Sequence, residues 1–388
     1  MFEYPLSDEH KMLWSTVRDF AKTEIAPKAR EIDEKAEFPV KIFSQMADLG
    51  FLGAAIPPEY GGSGMDLMAV YTVVEEISTE LPSLGMDYMV TAGVIGYHSI
   101  SKLGTESQKK RYLPRLVSGE MIGAIGMTEP NAGSDVAAMK TRAHKTKDGY
   151  YLLNGTKTLI TNFGGPLPSV GVFIAVTDPA LGKRGMTSFL VEKDFPGVSV
   201  SKSLDTCGMR SSSQSEISFE DCPIPEENVL SSEGKGMSVS LSGIDVDRIL
   251  CCALSTGIAR GVYERAVRYA KQRFAFGQPI IQFPSVQTML SKIATYIHAS
   301  RLLGHYAVRT YEQGKRCTVE AAMAKRVASQ HAQEATIWAM HILGGYGYCR
   351  EYEVERFFRD NMGVEIGGGA AELLEALIGQ SVIDYPTV

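Results

Sequence analysis

Apolar residues in the first part of the chain recur at helical spacing. Positions 7–9 (Ser-Asp-Glu) have the residue types of a helix N-terminus, and one apolar stripe follows them: Met12, Leu13, Val17 and Phe20. Pro27, Pro39 and the Pro/Gly-rich run 57–62 divide the segment into separate helices. Further helices are predicted near 65–80 and 85–103. The pattern therefore predicts a helical domain over residues 1–120.

The pattern changes near residue 121, where short runs rich in Val, Ile, Phe and Tyr replace the helical spacing. These runs cover 150–153, 170–176, 187–191 and 216–219, and turns containing Gly, Pro or Asp separate them. Short strands at this spacing are typical of a small barrel or sandwich. We therefore predict a β-domain, a barrel or sandwich, over residues 121–232.

Helical periodicity returns after residue 233, in long segments near 235–272, 285–313, 317–344 and 368–379. The order helix, β, helix predicts an α+β protein whose third part, residues 233–388, is a helical domain. A chain of 388 residues is long enough for two or three domains with a large core.

Composition narrows the class of protein. Lys and Arg total 39 against 45 Asp and Glu, a net charge of −6, which argues against a nucleic-acid-binding face. No run of 18 apolar residues predicts a membrane span, and the polar stretch 1–12 lacks a signal-peptide pattern, so we expect a cytoplasmic protein. The six cysteines lack metal-ligand spacing, so we expect reduced thiols and no metal site.

Four motifs occur in a fixed order along the chain. They are MTEPNAGSDV (127–136), NGTKTLITN (154–162), QRFAFGQPI (272–280) and LGGYGYCREYEVERFFRD (343–360). In this order and spacing they resemble the acyl-CoA dehydrogenase family over essentially the whole chain. The resemblance implies an N-terminal helical domain, a middle β-domain and a C-terminal four-helix domain. It also implies FAD as cofactor, a CoA thioester as substrate, a homotetramer built as a dimer of dimers, and an electron-transfer flavoprotein as electron acceptor.

The motifs place candidate cofactor residues in two regions. The turn at 127–130 can offer backbone N–H groups and the Thr128 hydroxyl to the edge of a flavin ring, which is how a protein tunes this cofactor. The guanidinium of Arg273 suits a pyrophosphate, and the paired glycines at 344 and 345 allow close approach of the backbone. By resemblance, the FAD-binding residues are Met127, Thr128, Ser134, Leu159, Thr161, Arg273, Phe276, His341, Gly344 and Gly345.

Some of these positions depart from the family pattern. Leu159 stands where a Trp beside the flavin is common, and Pro284 and His341 stand where Gln is common. Ala370 replaces a common Thr near the cofactor phosphates. Each change removes an individual hydrogen bond of about 1 kcal/mol net, so we expect FAD binding to be reshaped and not abolished.

For the CoA thioester, the resemblance assigns binding to five positions: Ser134, Asp245, Arg248, Gly368 and Gly369. Read without the resemblance, Asp245 and Arg248 at i and i+3 are equally consistent with a surface ion pair on a helix.

The largest departure concerns the catalytic base. Most family members carry a Glu, preceded by an aromatic residue, in the segment matching 366–369, and this Glu removes the α-proton of a saturated acyl thioester. Here the two positions are Gly368 and Gly367. Glycine takes up no proton, so the base must lie elsewhere, and two glycines predict a wider pocket wall.

Two aspartates are candidates for the missing base. A second family solution places the carboxylate one residue before an Arg on the first helix of the C-terminal domain, where this chain has Asp247. Asp87 falls on the helix that lines the floor of the acyl pocket in the family, between apolar neighbours. Burial there would raise the pKa of a carboxyl towards the range of a general base, unless Asp87 points to solvent or caps a turn.

The loss of the usual base fits a substrate without a saturated α-carbon. A 2-enoyl thioester has its acidic proton at the γ-carbon, and Asp87 could remove it. With a glycine wall, this resembles the branch that oxidises alicyclic CoA thioesters in anaerobic aromatic degradation, such as cyclohex-1-ene-1-carboxyl-CoA. Alternatives are Asp247 acting on a saturated branched or cyclohexane acyl-CoA, an enoyl-CoA reductase of the crotonobetainyl-CoA type, and an inactive flavoprotein that binds acyl-CoA.

Overall fold

The computed structural model describes residues 6–383, so part of the N-terminal stretch considered above, residues 1–5, lies outside it. Ser7 caps the first helix, because its side chain accepts a hydrogen bond from the His10 N–H. Val17 and Phe20 of the predicted stripe are buried, whereas Met12 is 69% exposed. The helices of this region are α1 (Asp8–Phe20), α2 (Ala29–Lys35), α3 (Val40–Asp48), α4 (Leu67–Ser78), α5 (Pro82–Tyr88), which continues as a π-helix (Met89–Lys102), and α6 (Glu106–Val117).

A seven-stranded sheet follows the helices. The four predicted runs all form strands, whereas three shorter strands were missed at the sequence level because each has five residues or fewer. The strands are β1 (Ile122–Gly126), β2 (Arg142–Lys145), β3 (Tyr150–Thr161), β4 (Ser169–Val176), β5 (Met186–Glu192), β6 (Val198–Val200) and β7 (Gln214–Pro225). Their order in the sheet is β1-β4-β2-β3-β7-β6, with β5 paired to β4; β1 runs parallel to β4 and most other pairs are antiparallel.

The last part of the chain is helical and is built around one helix of 37 residues. The four predicted helices are present, and a fifth helix, Val354–Ile366, lies in a segment where we predicted none. A short hairpin, β8 (Phe274–Ala275) and β9 (Gln278–Pro279), interrupts the helices. The helices are α7 (Gly236–Gln272), α8 (Pro284–Glu312), α9 (Thr318–Leu343), α10 (Val354–Ile366) and α11 (Ala371–Ile383).

Helix α7 is central because it contacts α4 of the first part and α8, α9 and α10 of the last. A buried ion pair strengthens the contact with α4, since the Arg260 guanidinium donates to the carboxylates of Glu75 and Glu76. The helix–β–helix order predicted from the sequence is confirmed. The packing brings the start of α7 against the segment between α10 and α11.

Within residues 6–383, no single helix is long and apolar enough to cross a membrane; α10 and α11, inclined at 48°, meet that criterion only when taken together. In the same part of the chain, no group of three His, Cys, Asp or Glu side chains is arranged to hold a metal ion.

Candidate active site

The first motif forms a loop that a buried ion pair fastens to β3. Lys157 is fully buried, and its Nζ lies 2.9 Å from Glu129 Oε1 and 3.2 Å from the Met127 carbonyl oxygen. Glu129 also accepts backbone hydrogen bonds from residues 140 and 141. The Thr158 N–H donates to the Thr128 carbonyl at 2.9 Å. The loop that carries Met127 and Thr128 is therefore held in one position from two sides.

Removing the ammonium of this pair should loosen the loop. In Lys157→Met the Glu129 carboxylate stays buried without its counter-charge but keeps two N–H donors, so we expect a loss of about 2 kcal/mol of stability. We also expect weaker retention of FAD, measured as the flavin-to-protein absorbance ratio after gel filtration. Lys193→Met is the control, because among residues 6–383 the Lys193 ammonium donates only to the Gly165 carbonyl. Unchanged FAD retention and melting temperature in Lys157→Met would contradict the assignment.

The second motif ends β3 with two predicted cofactor residues. Leu159 has a left-handed backbone (φ +57°) and is 55% exposed, although a large apolar side chain favours neither condition. Thr161 is half-buried and its hydroxyl accepts a hydrogen bond from the Gln214 amide at 2.9 Å. Ser134, assigned to both cofactor and substrate, lies exposed in the first motif's loop. Leu159 and Ser134 are therefore both accessible from outside the chain, beside the half-buried Thr161.

A cavity of about 400 Å³ collects part of the third and fourth motifs. Arg273, Gly344 and Gly345 line it together with Tyr269 and Tyr346. A Cβ built on either glycine would meet no atom within 4 Å, so the backbone there is open to a ligand. A guanidinium beside bare backbone and aromatic rings suits a pyrophosphate and its adenosine, so these residues fit a dinucleotide such as FAD.

Of the five predicted cofactor residues in the C-terminal helical part, two lie outside the lining of this cavity as the described residues form it. Phe276 is 97% exposed on the β8–β9 hairpin and contacts Phe283 edge-to-face. His341 is exposed and contacts the Trp338 ring edge-on. One chain therefore does not bring all ten predicted cofactor residues together.

The position of the usual base and its predicted replacement face the same point. Gly368 has a left-handed backbone (φ +66°), and a Cβ built on it would lie 2.7 Å from Asp247 Oδ2. Asp247 lies in the first third of α7, whereas Gly368 lies in the turn Gly367–Gly369 between α10 and α11, which we call the glycine turn. The Asp247 carboxylate thus occupies the space that a side chain at 368 would enter.

This geometry corrects one sequence interpretation. We expected the two glycines to widen the pocket wall, but the space in front of Gly368 is filled by the Asp247 carboxylate. A Cβ at Gly367 would lie 2.9 Å from the Gly363 carbonyl, so it faces α10 and not an open cavity. The prediction of a wider wall is therefore wrong, and the glycines provide room for a carboxylate.

The surroundings of Asp247 set its charge. The residue is half-buried, and burial is the main reason that its pKa is raised to about 6, against the positive charges of Arg248 and Lys325 and the contact with Cys251. The Cys251 thiol lies 3.9 Å from Oδ2. A carboxyl with this pKa is largely ionised at neutral pH and is a stronger base than an exposed aspartate.

The remaining predicted substrate residues lie next to this carboxylate. Arg248 Nε donates to the Gly368 carbonyl at 3.2 Å, and its guanidinium lies 3.7 Å from Asp245. Asp245 accepts a hydrogen bond of 2.8 Å from the Thr318 hydroxyl on α9. Both side chains are largely buried, so the pair is not a surface ion pair. Asp245, Arg248, Gly368 and Gly369 therefore form one group around Asp247.

The second candidate base, Asp87, is fully buried and contacts other residues than Asp247 does. The Ser212 hydroxyl donates to Asp87 Oδ1 at 2.5 Å, while Oδ2 has no hydrogen-bond partner among the described residues. Burial raises the pKa of Asp87 to about 8, and the Ser212 hydrogen bond lowers it only in part. The side chain neither points to solvent nor caps its helix.

Sequence reasoning missed three residues beside the candidate bases: Lys325 and Cys251 act on Asp247, and Ser212 donates a hydrogen bond to Asp87. Lys325 had a signal, since it is a lone charge on the buried face of α9 that carries Ala321, Ala324 and Ala328. Ser212 and Cys251 had none, because serine in a loop and cysteine in a helix are common at positions without a specific role.

Three family models cover nearly the whole chain. The acyl-CoA dehydrogenase N-terminal domain matches residues 7–120, the middle domain 124–222 and the C-terminal domain 234–383. The chain belongs to the acyl-CoA dehydrogenase family. It is an enzyme of that family, with FAD as cofactor and a CoA thioester as substrate.

Curated relatives of similar identity have different named substrates. An acyl-CoA dehydrogenase of Bacillus subtilis (strain 168) is 38% identical, and the match covers 97% of this chain and 99% of the relative. The mitochondrial isovaleryl-CoA dehydrogenase of Oryza sativa subsp. japonica is also 38% identical, covering 97% and 91%. The cyclohex-1-ene-1-carbonyl-CoA dehydrogenase of Syntrophus aciditrophicus (strain SB) is 38% identical as well, and the match covers 97% of this chain and 91% of the relative. The acyl group that this protein prefers therefore cannot be inferred from its sequence identity to these relatives.

Solved structures share the fold over the whole chain. Butyryl-CoA dehydrogenase from Megasphaera elsdenii superposes with a TM-score of 0.94 at 36% identity, covering 98% of this chain and 100% of that one. A chain from a structure of the electron transferring flavoprotein of Acidaminococcus fermentans superposes with a TM-score of 0.95 at 35% identity, covering 99% of this chain and 100% of that one. The helical and β parts are thus arranged as in this family.

Proposed function

We propose that the protein dehydrogenates a saturated, branched or cyclic acyl-CoA thioester, with Asp247 as the base that removes the α-proton. The observation that supports this is the 2.7 Å between the Cβ position of Gly368 and Asp247 Oδ2. A carboxylate that reaches this point from α7 replaces one that other family members carry at the position of Gly368. FAD, when bound, supplies the hydride acceptor, flavin N5, for the hydrogen of the β-carbon.

The chain's own residues provide the proton transfer. The α-proton goes to Asp247, which becomes neutral, and the electron pair of the broken C–H bond forms the new double bond as hydride leaves the β-carbon. Before this step, Arg248 and Lys325 favour the ionised form of Asp247. Placing the base and the hydride acceptor on opposite sides of one C–C bond is the protein's main contribution.

The acyl group is inferred from the substrates for which relatives are named. The relatives described above include enzymes named for a branched isovaleryl group and for a cyclohexene ring. We therefore place branched and cyclic acyl groups before straight chains.

Asp87 supports a second candidate function, the dehydrogenation of a cyclohexene-type acyl-CoA by removal of a γ-proton. The supporting observation is Asp87 Oδ2, a buried carboxyl oxygen without a hydrogen-bond partner among residues 6–383. With its pKa raised to about 8, Asp87 suits a general base at slightly alkaline pH. Turnover of a cyclohexene thioester that is lost in Asp87→Asn and kept in Asp247→Asn would favour this candidate.

The wider setting follows the family. A homotetramer would let Arg273 and Phe276 reach the FAD of a neighbouring subunit, which fits the exposure of both side chains. An electron-transfer flavoprotein is the proposed electron acceptor, and the exposed Leu159, where the family commonly has a Trp beside the flavin, would border the cofactor on the side open to such a partner. We place the protein in the cytoplasm.

A panel of thioesters tests the substrate. The purified yellow protein is assayed with an artificial electron acceptor and with butyryl-, isovaleryl-, 2-methylbutyryl-, cyclohexanecarboxyl- and cyclohex-1-ene-1-carboxyl-CoA. We expect the highest kcat/KM with a saturated branched or cyclohexane thioester. Preference for butyryl-CoA would refute the substrate assignment, and binding without anaerobic flavin bleaching by any thioester would show an inactive flavoprotein.

A further inference from the structure

Lys325 is a buried lysine whose ammonium is held by backbone carbonyls. It lies on α9 with no exposed surface, and its Nζ donates to the carbonyl oxygens of Glu365 and Gly369, both at 2.9 Å. No carboxylate among the described residues lies within ion-pair distance of Nζ. Burying an ammonium has a large desolvation cost, so a site that keeps one demands an explanation.

The two carbonyls belong to the two ends of one turn. Glu365 is the second-last residue of α10, where carbonyls lack intrahelical donors and a cation is favourable. Gly369 (φ +107°) is the last residue of the glycine turn. Arg248 donates to the carbonyl between them, that of Gly368. Two cations from α7 and α9 therefore fix the glycine turn.

The same ammonium acts on the carboxylate that the turn faces. Besides Arg248, Lys325 is the positively charged group that lowers the pKa of Asp247 against burial. The other titratable group beside Asp247 is the Cys251 thiol, whose pKa is raised well above its ordinary value by burial and by Asp247 itself. Glu365, on α10, pairs with Arg326 at 3.4 Å.

We propose that Lys325 is a positioning residue for proton abstraction: it holds the glycine turn against Asp247 and keeps that carboxylate ionised before substrate binds. The inference rests on the proposed function of Asp247. Lys325 touches neither the substrate nor the reacting atoms; it acts through the turn and through its charge. Holding the turn and supplying a positive charge can be tested separately, because a neutral side-chain amide at position 325 can still donate hydrogen bonds to the two carbonyls.

Two substitutions separate these roles. Lys325→Gln keeps N–H donors but removes the charge, and Lys325→Met removes both. For each variant, kcat/KM is measured from pH 5 to pH 9 with the preferred thioester. In Lys325→Gln we expect the pH at which kcat/KM rises to move up by about one unit, so that activity falls about 5-fold at pH 6, about 10-fold at pH 5, and recovers near pH 8. Lys325→Met should show the same shift and a lower kcat at every pH.

Arg326→Gln is the matched control, since it removes a positive charge one residue further along α9 that pairs with Glu365 and Glu375. Its pH profile should stay unchanged. If Lys325→Met fails to fold, Lys325→Gln decides. A profile unmoved in Lys325→Gln overturns the proposal, even when its melting temperature falls. Asp247→Asn, assayed in parallel, separates the two hypotheses: full activity in that variant refutes the base, whereas its inactivity with an unmoved Lys325→Gln profile refutes Lys325 alone.

Discussion

Asp247→Asn is expected to lower kcat by about 1,000-fold, within the range lost when a general base is removed. The amide has nearly the same shape as the carboxylate, so the contact with the glycine turn and the binding of the thioester should be kept. The amide takes up no proton, so the α-hydrogen stays on the substrate. The measurement is kcat with an artificial electron acceptor, supported by the rate of anaerobic flavin bleaching.

The pH profile gives this result a second signature. In the unmodified enzyme, kcat/KM should rise with pH through an apparent pKa near 6, because burial places the pKa of Asp247 at about 6 and only the ionised form accepts a proton. The residual kcat/KM of Asp247→Asn should lack this rise with pH. Asp87→Asn is the matched control, a second buried aspartate changed in the same way. Full activity in Asp247→Asn with loss in Asp87→Asn would reverse the assignment.

The sequence predicted much of the fold because its elements repeat a periodic signal. The helical stripes and the Val/Ile/Phe runs located the long elements, and the resemblance placed the motifs. Helix α10 escaped prediction, since the first seven residues of its sequence VERFFRDNMGVEI belong to a motif that we treated as a cofactor signature. The short strands β2 and β6 carry too few residues to show a period.

The candidate site was predicted in part. Both Asp247 and Gly368 were named, but they are 121 positions apart, and no periodicity shows that one fills the space of the other. The consequence we drew from the glycines, a wider pocket, failed for that reason. Lys325 could be suspected from its alanine-lined face, whereas its carbonyl partners depend on where α10 ends, which is a tertiary property.

Asp87→Asn is expected to stabilise the protein, with a gain that grows from pH 5 to pH 8. Burial raises the pKa of Asp87 to about 8 in the folded state, whereas an unfolded chain gives about 3.9. Between these values the folded state binds more protons than the unfolded state, so the free energy of unfolding falls as pH rises. Asparagine has no such dependence, so the substitution should add roughly 2–4 kcal/mol at pH 7.

Unfolding by urea at pH 5, 6, 7 and 8 measures this gain in the unmodified protein and in Asp87→Asn. Ser212→Ala is the matched control: it removes the hydrogen bond that favours the ionised form but keeps the carboxyl, so stability should fall, and more steeply towards pH 8. Asp360 is also fully buried, and its pKa is raised to about 7. The free energy of unfolding should therefore still fall somewhat with rising pH in every variant. Equal stability of Asp87→Asn and the unmodified protein at pH 8 would mean that Asp87 is ionised in the folded state. Water or a substrate group would then have to reach Oδ2, and Asp87 could accept a γ-proton already at neutral pH.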